Sequence, residues 1–269
     1  QILDSDDQLR LVKRVIRELG LDDNQWAPKQ AQWWINGQKD EGLRPQNIQP
    51  AGDLYLTTMV RIYTAYEQAC ARAGAVDFAE LLLRSLELWR DNQTLREQYQ
   101  ARFKHMLVDE FQDTNAVQYA WLRHLAGKSP SLMVVGDDDQ SIYGWRGARI
   151  ENIQQFQTDY PNAEMIRLEQ NYRSTATILK AANALIDNNA GRLGKQLWTD
   201  GNDGEPISLY AGFNEQDEAR FIVERIEQAV RDGMSRSEIA ILYRSNAQSR
   251  VLEEALLRSG VPYRIYGGQ

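Results

Sequence analysis

An adjacent pair of carboxylates, Asp109-Glu110, follows a short apolar run and is well suited to phosphate chemistry. An aspartate at the end of a strand can hold Mg²⁺ through oxygen, and the glutamate beside it can orient and deprotonate an attacking water. A Mg²⁺ ion that bridges phosphate oxygens supplies much of the charge neutralisation that phosphoryl transfer requires. An acidic pair after an apolar run is also common as a solvated strand end, so the pair alone leaves both interpretations open.

A second segment, residues 136–148, brings an amide and two aromatic rings close together along the chain. The neutral amide of Gln140 can both donate and accept a hydrogen bond, which suits a contact with phosphate. Tyr143 and Trp145 offer faces on which bases stack, worth roughly 1–3 kcal/mol each and independent of sequence, and Arg146 follows them. The same rings are equally typical of a turn packed into a core. The triple aspartate 137–139 lacks the spacing of an EF-hand loop, so we expect some of its carboxylates to hold the turn.

The apolar pattern predicts the elements that position these residues. Residues 1–103 show helical spacing, with one helix over 54–73 and another that begins at the capping residue Asp77, where Glu80 is placed for a capping box. The pattern then changes to a strand over 105–108, a helix over 116–125 and a strand over 132–135, which is a βαβ unit. Both acidic segments would then leave the carboxyl ends of parallel strands, where ligands bind in open α/β sheets.

Strands and helices continue to alternate beyond this unit. We predict further strands over 164–168, 207–210, 239–243 and 263–266, with helices from about 175 to 187, over 217–230 and over 248–257, and a glycine-rich surface loop over 191–204. The chain therefore divides into a helical domain (1–103), part of one sheet domain (104–168) and part of a second (169–269).

Composition excludes some classes of protein. No apolar stretch approaches the roughly 20 residues needed to cross a bilayer. A single cysteine, Cys70, excludes an internal disulfide framework and fits a reducing cytosol. The net charge of −7 shows no overall basic surface, but a groove can be locally basic or aromatic on an acidic body, so nucleic acid remains a candidate partner.

Three long motifs resemble those of superfamily 1 helicases of the UvrD/Rep/PcrA group. Residues 107–114 (LVDEFQDT) resemble the Walker B segment, residues 136–148 (GDDDQSIYGWRGA) resemble motif III, and residues 168–174 (LEQNYRS) resemble motif IV. Segments 39–43, 76–82 and 242–250 are also similar, so the resemblance covers essentially the whole chain. It implies α/β motor domains of the P-loop NTPase (RecA-like) type with parallel sheets, both incomplete, preceded by an all-helical subdomain.

The resemblance implies a role in ATP hydrolysis for five residues. Asp109 would hold Mg²⁺, and Glu110 would be the general base for water. Gln140 would contact the γ-phosphate, and Arg173 would clamp it as an arginine finger does. Tyr172 would stack on the adenine ring, although packing at a helix start is its ordinary alternative.

The resemblance also implies a DNA-binding surface. Tyr143 and Trp145 would stack single-stranded DNA with Arg146 in support, and Arg244 and Asn246 would contact the DNA backbone. Since Gln140 lies just before the two aromatic residues, one short loop would touch both ATP and DNA. Such a loop could couple hydrolysis to translocation.

The chain departs from the family at three points. The family's last motifs, including a second arginine for the γ-phosphate, and the large insertion of the second motor domain are missing, and the third departure is central. The chain contains no Gly-x-x-x-x-Gly-Lys-[Ser/Thr], the loop that cradles the β- and γ-phosphates. We therefore expect an internal fragment that is inactive alone, from a cytoplasmic, ATP-dependent 3′-to-5′ helicase of DNA repair and replication. Its partners would be single-stranded DNA, single-strand/duplex junctions and DNA repair proteins. Uncovered strand edges would favour self-association.

Three other functions stay open at this level. The region could be a non-catalytic scaffold that binds DNA or repair partners, or the motor part of a RecB-type helicase–nuclease. A plain Mg²⁺ site on an enzyme that uses no nucleotide is the third, and the presence of Gln140 and Arg173 disfavours it.

Overall fold

The computed structural model describes residues 1–127 and 131–266, so the last three residues of the predicted second sheet domain lie outside it. The described chain forms two units. The first comprises Gln1–Glu169 together with Leu185–Gln196, and the second comprises Gln170–Ala184 together with the chain from Leu197 onward. Within these residues, no helix has the length and apolar character needed to span a membrane.

The first unit begins with helices. They are α1 (Ser5–Glu18), α2 (Pro28–Asp40), α3 (Leu54–Ala73), α4 (Phe78–Asp91) and α5 (Gln93–Arg102). Side chains of Asp4, Asp53, Asp77 and Asn92 cap α1, α3, α4 and α5 by accepting backbone N–H groups of the first turn. The apolar faces of α1, α2 and α3 meet in a core that includes Val12, Ile16, Ile35, Ile62 and Tyr63.

The predicted capping box at the start of α4 is only half formed. Asp77 accepts the N–H of Glu80 at 2.7 Å, as expected. The carboxylate of Glu80 instead pairs with Lys39 at 2.8 Å and with Arg44 at 3.0 Å. Lys39 is almost fully buried, and a buried ammonium is stable only with anionic partners, so these ion pairs take the carboxylate that the cap would have used.

The predicted βαβ unit follows and is confirmed. Strand β1 (His105–Val108), helix α6 (Ala116–Ala126) and strand β2 (Ser131–Val134) form a two-stranded parallel sheet, with β2 one residue earlier than predicted. The register pairs His105 with Ser131 and Val108 with Val134. Backbone hydrogen bonds extend the pairing past the strand ends, because Phe111 N donates to Val135 O at 3.0 Å. Helix α7 (Glu151–Asp159) completes this part of the unit.

The four other predicted strands do not form in the described part of the chain. Segments 164–168, 207–210, 239–243 and 263–266 lie in no sheet, and the nearest pairing is an isolated bridge between Gln170 and Trp198. Many of their apolar side chains face solvent, with Leu209 97% and Leu242 92% exposed, although Ile239 and Ile241 are half-buried against the helical core of the second unit. A strand is stabilised by hydrogen bonds to a neighbouring strand, and here no neighbour supplies them. The prediction of a second parallel sheet is therefore wrong for this structure, which combines helices with one small sheet.

Two packed helices form a hydrophobic core in the second unit, and a third helix begins there. Helix α8 (Ala176–Ile186) begins in this unit, and α9 (Glu215–Arg231) and α10 (Ser249–Arg258) pack against each other. Their shared core contains Val223, Ile226, Leu256 and Val261. All three helices were predicted to within about two residues, which is the usual uncertainty of a helix end.

Candidate active site

The carboxylate pair emerges from the carboxyl end of β1, beside the segment that leaves β2. Both Asp109 and Glu110 are exposed, and Oδ1 of Asp109 accepts the N–H of Glu110 at 2.9 Å. Glu110 adopts a left-handed backbone conformation, with φ of +51° and ψ of 43°. A non-glycine residue in this region costs of order 1–3 kcal/mol, and such residues cluster at functional sites. This left-handed conformation turns the chain directly after β1, so Glu110 lies at the edge of the sheet.

A buried glutamine connects this pair to the second acidic segment. Gln112 is 1% exposed. Its Nε2 donates to Oε2 of Glu110 at 2.8 Å, and its Oε1 accepts the N–H of Asp137 at 2.9 Å. A Cβ at position 136 would lie 2.7 Å from Gln112 Oε1, so this approach requires Gly136. Sequence reasoning missed Gln112, whose only sign was its place in the 107–114 string.

Gln140 lies at the same edge of the sheet. It ends a short 3₁₀ helix (Asp138–Gln140), is exposed, and donates from Nε2 to Oδ2 of Asp137 at 2.7 Å. The structure thus connects Glu110, Gln112, Asp137 and Gln140 by consecutive hydrogen bonds. The predicted base and the predicted phosphate-contacting amide therefore lie at one site.

The triple aspartate is held by two cations from the segment 185–196. Arg192 donates from Nε and Nη2 to the two oxygens of Asp139, at 2.7 and 2.8 Å, and these bonds lower the pKa of Asp139. Lys195 pairs with Asp137 and lies 3.7 Å from Asp139. The three carboxylates lie close enough to share a cation, and the side chains of Lys195 and Arg192 supply positive charge beside them. This agrees with a structural role. Sequence reasoning placed both cations in a surface loop and missed the pairing.

The loop after Gln140 presents aromatic rings. Tyr143 is half-buried and Trp145 is 74% exposed, and their ring centroids lie 6.4 Å apart. The guanidinium carbon of Arg146 lies 5.1 Å from the centroid of Tyr143 and 5.5 Å from that of Trp145. These distances fit cation–π contacts, which hold the rings and the charge together. The structure therefore brings all three predicted DNA-contacting residues of the first unit into one surface.

Contacts from the helical part of the unit hold this loop in place. Arg149, just after the loop, pairs with Glu41 at the end of α2. Asp40 accepts the side-chain N–H of Asn115 at 2.9 Å. A Cβ on Gly147 would lie 3.3 Å from Oδ2 of Asp40, so the loop passes close to this carboxylate. Burial of Asp40, with smaller contributions from Glu41 and Asp77, raises its pKa to about 6.

The remaining predicted residues lie in the second unit. Tyr172 is 86% exposed and donates its hydroxyl to Oε1 of Gln170 at 2.7 Å, and Arg173 beside it is also exposed. Arg244 and Asn246 are exposed at the short 3₁₀ helix (Asn246–Gln248). The structure therefore groups Tyr172 with Arg173 at one turn and Arg244 with Asn246 at another.

The donor set at the edge of the sheet fits Mg²⁺ but supplies only part of a nucleotide site. Mg²⁺ is usually bound through one or two carboxylates, with water and phosphate oxygens completing its shell. The exposed carboxylate of Asp109 at a strand end is suited to that role. The glycine-rich phosphate loop is not among the 269 residues. This chain therefore contains the predicted metal ligand, base and amide but not the loop whose backbone would cradle the phosphates.

Comparison with known proteins gives consistent matches along the chain. Residues 1–161 match the UvrD/REP helicase N-terminal domain, and residues 166–269 match the UvrD-like helicase C-terminal domain. The chain is 65% identical over 268 residues to DNA helicase II of Escherichia coli, a match that covers 100% of this chain and 37% of that protein. DNA helicase II of Haemophilus influenzae is 57% identical over 268 residues, with coverage of 100% and 37%.

A more distant relative gives the same picture. The ATP-dependent DNA helicase PcrA of Leuconostoc citreum is 44% identical over 269 residues, a match that covers 99% of this chain and 36% of that protein. The chain thus spans little more than a third of the length of the relatives it matches.

Proposed function

Because this chain belongs to the UvrD/REP helicase family, we propose that it forms part of the motor of an ATP-dependent DNA helicase. The observation that carries the proposal is the hydrogen-bonded path from Glu110 through Gln112 and Asp137 to Gln140. This path lies at the carboxyl edge of one parallel sheet, and it supports the assignment of Glu110 as the general base and Gln140 as the phosphate-contacting amide. Ligands bind at this edge in open α/β sheets.

Three residues of the first unit have different roles in hydrolysis. Asp109 holds Mg²⁺, which when bound neutralises charge on the phosphate oxygens. Glu110 orients the attacking water and accepts its proton at Oε1, since Oε2 already accepts the Gln112 amide. Gln140, exposed at the end of its short helix, offers its amide to the γ-phosphate.

Residues of the second unit are assigned by likeness to the family. Arg173 stabilises the charge that develops on the transferred phosphoryl group, as an arginine finger does. Tyr172 stacks on the adenine ring, and its 86% exposure leaves the ring available for this contact. Arg244 and Asn246 hold the DNA backbone, a contact that positions the strand without reading its sequence.

The aromatic loop binds the single strand. Trp145 and Tyr143 stack bases, and the Arg146 guanidinium beside both rings adds positive charge for the phosphates. Only two residues separate Gln140 from Tyr143 in the sequence. A change at the γ-phosphate can therefore move the DNA-binding rings, which couples hydrolysis to translocation along the strand.

The proposed activity belongs to the whole protein and not to this chain alone. Without the phosphate loop, the 269 residues lack the backbone N–H groups and the lysine that hold the β- and γ-phosphates, so we expect negligible ATP turnover from them. By likeness to the family, the whole protein moves 3′-to-5′ and opens single-strand/duplex junctions in DNA repair and replication. It would work with repair proteins in the cytoplasm.

A chimera tests this function. In this chimera, the 269-residue chain replaces the matching 37% of Escherichia coli DNA helicase II. The chimera should hydrolyse ATP in a DNA-stimulated manner and unwind a tailed duplex. Glu110→Gln should lower kcat by roughly 10²–10⁴-fold, the usual contribution of a general base. Glu164→Gln, at an exposed glutamate of the same unit, is the matched control and should keep the full rate.

DNA binding is tested in the same chimera with Trp145→Ala. Affinity for single-stranded DNA should fall by about tenfold, because one stacked base is worth roughly 1–3 kcal/mol. Trp33→Ala, which removes a tryptophan of similar exposure (72%) on α2, should leave that affinity unchanged. A Glu110→Gln chimera with the full ATPase rate would overturn the assignment of Glu110 as the base. An unsubstituted chimera that binds DNA but hydrolyses no ATP would favour the scaffold interpretation and overturn the proposal. Robust ATPase from the 269-residue chain alone would contradict its expected inactivity.

A further inference from the structure

We infer that Gln112 is a positioning residue that fixes the carboxylate of Glu110 relative to the turn bearing Gln140. The inference rests on the proposed function, because it specifies how the same site is held together. Gln112 carries the only side chain among residues 1–127 and 131–266 shown to bond both to Glu110 and to the backbone of the 136–140 segment.

The geometry around Gln112 allows one orientation of its amide. Oε1 accepts the N–H of Asp137 at 2.9 Å, so the Nε2 end must face the other way, and there it meets Oε2 of Glu110 at 2.8 Å. An exposed glutamate has several rotamers of similar energy. A donor fixed by burial, with the side chain 1% exposed, selects the one that Glu110 uses.

The same amide ties two loops that leave neighbouring strands. Glu110 follows β1, and Asp137 follows β2. Asp137 continues the connection, since its Oδ2 accepts the Gln140 amide at 2.7 Å. A displacement of Gln140 is therefore transmitted to Glu110 through two side chains and one backbone N–H. The base and the phosphate-contacting amide then respond to the nucleotide as one unit.

The glycine at position 136 also shows that the Gln112 amide lies close to the backbone of the 136–140 segment. A Cβ there would lie 2.7 Å from Gln112 Oε1 and 3.3 Å from the backbone nitrogens of Phe111 and Gln112. The φ of Gly136 is not positive, so backbone conformation does not require glycine at this position. The space occupied by the Gln112 amide does.

The experiment uses the chimera defined above. Gln112→Met keeps the length and apolar stem of the side chain but removes both hydrogen bonds. We expect kcat for ATP to fall roughly 10- to 100-fold, since hydrogen bonds to charged groups are worth more than neutral ones, while KM for ATP and the affinity for single-stranded DNA change by less than about threefold. Gln112→Glu still accepts the Asp137 N–H but repels Glu110 when ionised, so kcat should fall at least as far.

Gly136→Ala provides a second route to the same defect. It displaces the Gln112 amide without changing that residue, so it should lower kcat to a similar extent. Its effect on kcat should largely disappear in a Gln112→Ala background, where the 2.7 Å contact with Oε1 is gone and only the 3.3 Å approaches to backbone nitrogens remain. Non-additivity of this kind marks residues that act through a shared contact.

Gln118→Met is the matched structural control. Gln118 lies in the same unit and accepts the N–H of Asn115 at 2.9 Å, but it contacts neither Glu110 nor Asp137. It should lower the thermal midpoint without a selective loss of kcat. Normal kcat in Gln112→Met, in a chimera that Glu110→Gln inactivates, would overturn the inference and leave the proposed function standing. Absence of ATPase in the unsubstituted chimera would overturn both.

Discussion

At the scale of single residues, surroundings decide what an acidic side chain can do. Asp40 ends α2 and is half-buried against Asn115, and its pKa is raised to about 6 from 3.8 chiefly by burial. The folded protein therefore holds this proton more tightly than the unfolded chain. As pH rises from about 4 through 6, the folded state must ionise a desolvated carboxyl, so Asp40 lowers stability above that range.

Asp40→Asn should consequently stabilise the first unit at neutral pH. The amide oxygen can still accept the Asn115 N–H, and no charge is buried. We expect a higher denaturation midpoint at about pH 7.5 and a gain that shrinks toward zero near pH 4, measured by urea unfolding across that range. Asp6→Asn, at an exposed aspartate in α1, should show no such pH-dependent gain. A gain from Asp40→Asn that did not vary with pH would contradict the raised pKa of Asp40 in the folded protein.

The same residue scale shows what sequence could and could not reveal about the site. Asp109, Glu110 and Trp145 are recognisable because their types and order suffice to suggest chemistry. Gln112 and Arg192 are not, because a glutamine and an arginine gain their roles only from neighbours that folding supplies. Arg192 meets Asp139 across 53 positions of sequence, a distance no local pattern encodes.

At the scale of elements, most helices were predictable and most strands were not, although α7 was not among the predicted helices. Helix α3 begins after the capping residue Asp53 and ends before Gly74, which has a φ of +60°. Residues next to the helix therefore determine both of its ends. Strands β1 and β2 could be predicted because they pair with each other. Segments 207–210 and 239–243 have the same apolar character, but their state depends on a partner strand, and within the described residues none is present.

The start of α4 offers a test at this scale. Asp77 is 2% exposed and accepts from Lys39, Tyr66 and the N–H of Glu80, so it is both a helix cap and the partner of a buried ammonium. Asp77→Ala should cost roughly 3–5 kcal/mol of unfolding free energy, since it leaves a buried cation short of an anion.

The cap of α3 is the matched control for that change. Asp53 is exposed, and its carboxylate accepts the backbone N–H groups of Tyr55 and Leu56, so Asp53→Ala should cost about 1 kcal/mol, the usual value of an N-cap. Chemical denaturation of the two variants measures the difference. Equal losses would show that the buried ion pairs add nothing to the cap.

At the scale of the whole molecule, an acidic chain carries a local cationic and aromatic surface. The net charge is −7, yet Arg146 stands over two aromatic rings at the candidate DNA surface. Many other cations are paired within the protein, as Arg44 is with Glu67 and Glu87. Net charge therefore says little about whether this chain binds DNA, and the distribution of unpaired cations and exposed rings says more.

The uncovered apolar segments of the second unit should determine how the chain behaves in isolation. Leu209 and Leu242 are almost fully exposed, on segments that lie in no sheet of the described structure. Such segments offer both apolar surface and free backbone hydrogen-bonding groups, which favour pairing between copies. Sedimentation equilibrium should therefore give an average mass that rises above 30.9 kDa with concentration.

Charges on these two segments should reverse that association. The double substitution Leu209→Lys and Leu242→Lys places a lysine on each, a change that opposes edge-to-edge pairing and leaves the packed core between α9 and α10 intact. We expect the mass to return toward that of one chain while the helical circular dichroism signal is kept. Leu185→Lys, at a 75% exposed leucine on α8, controls for added charge alone. Association that persisted in the double variant would show that another surface joins the copies, because these two segments would then no longer be available to pair.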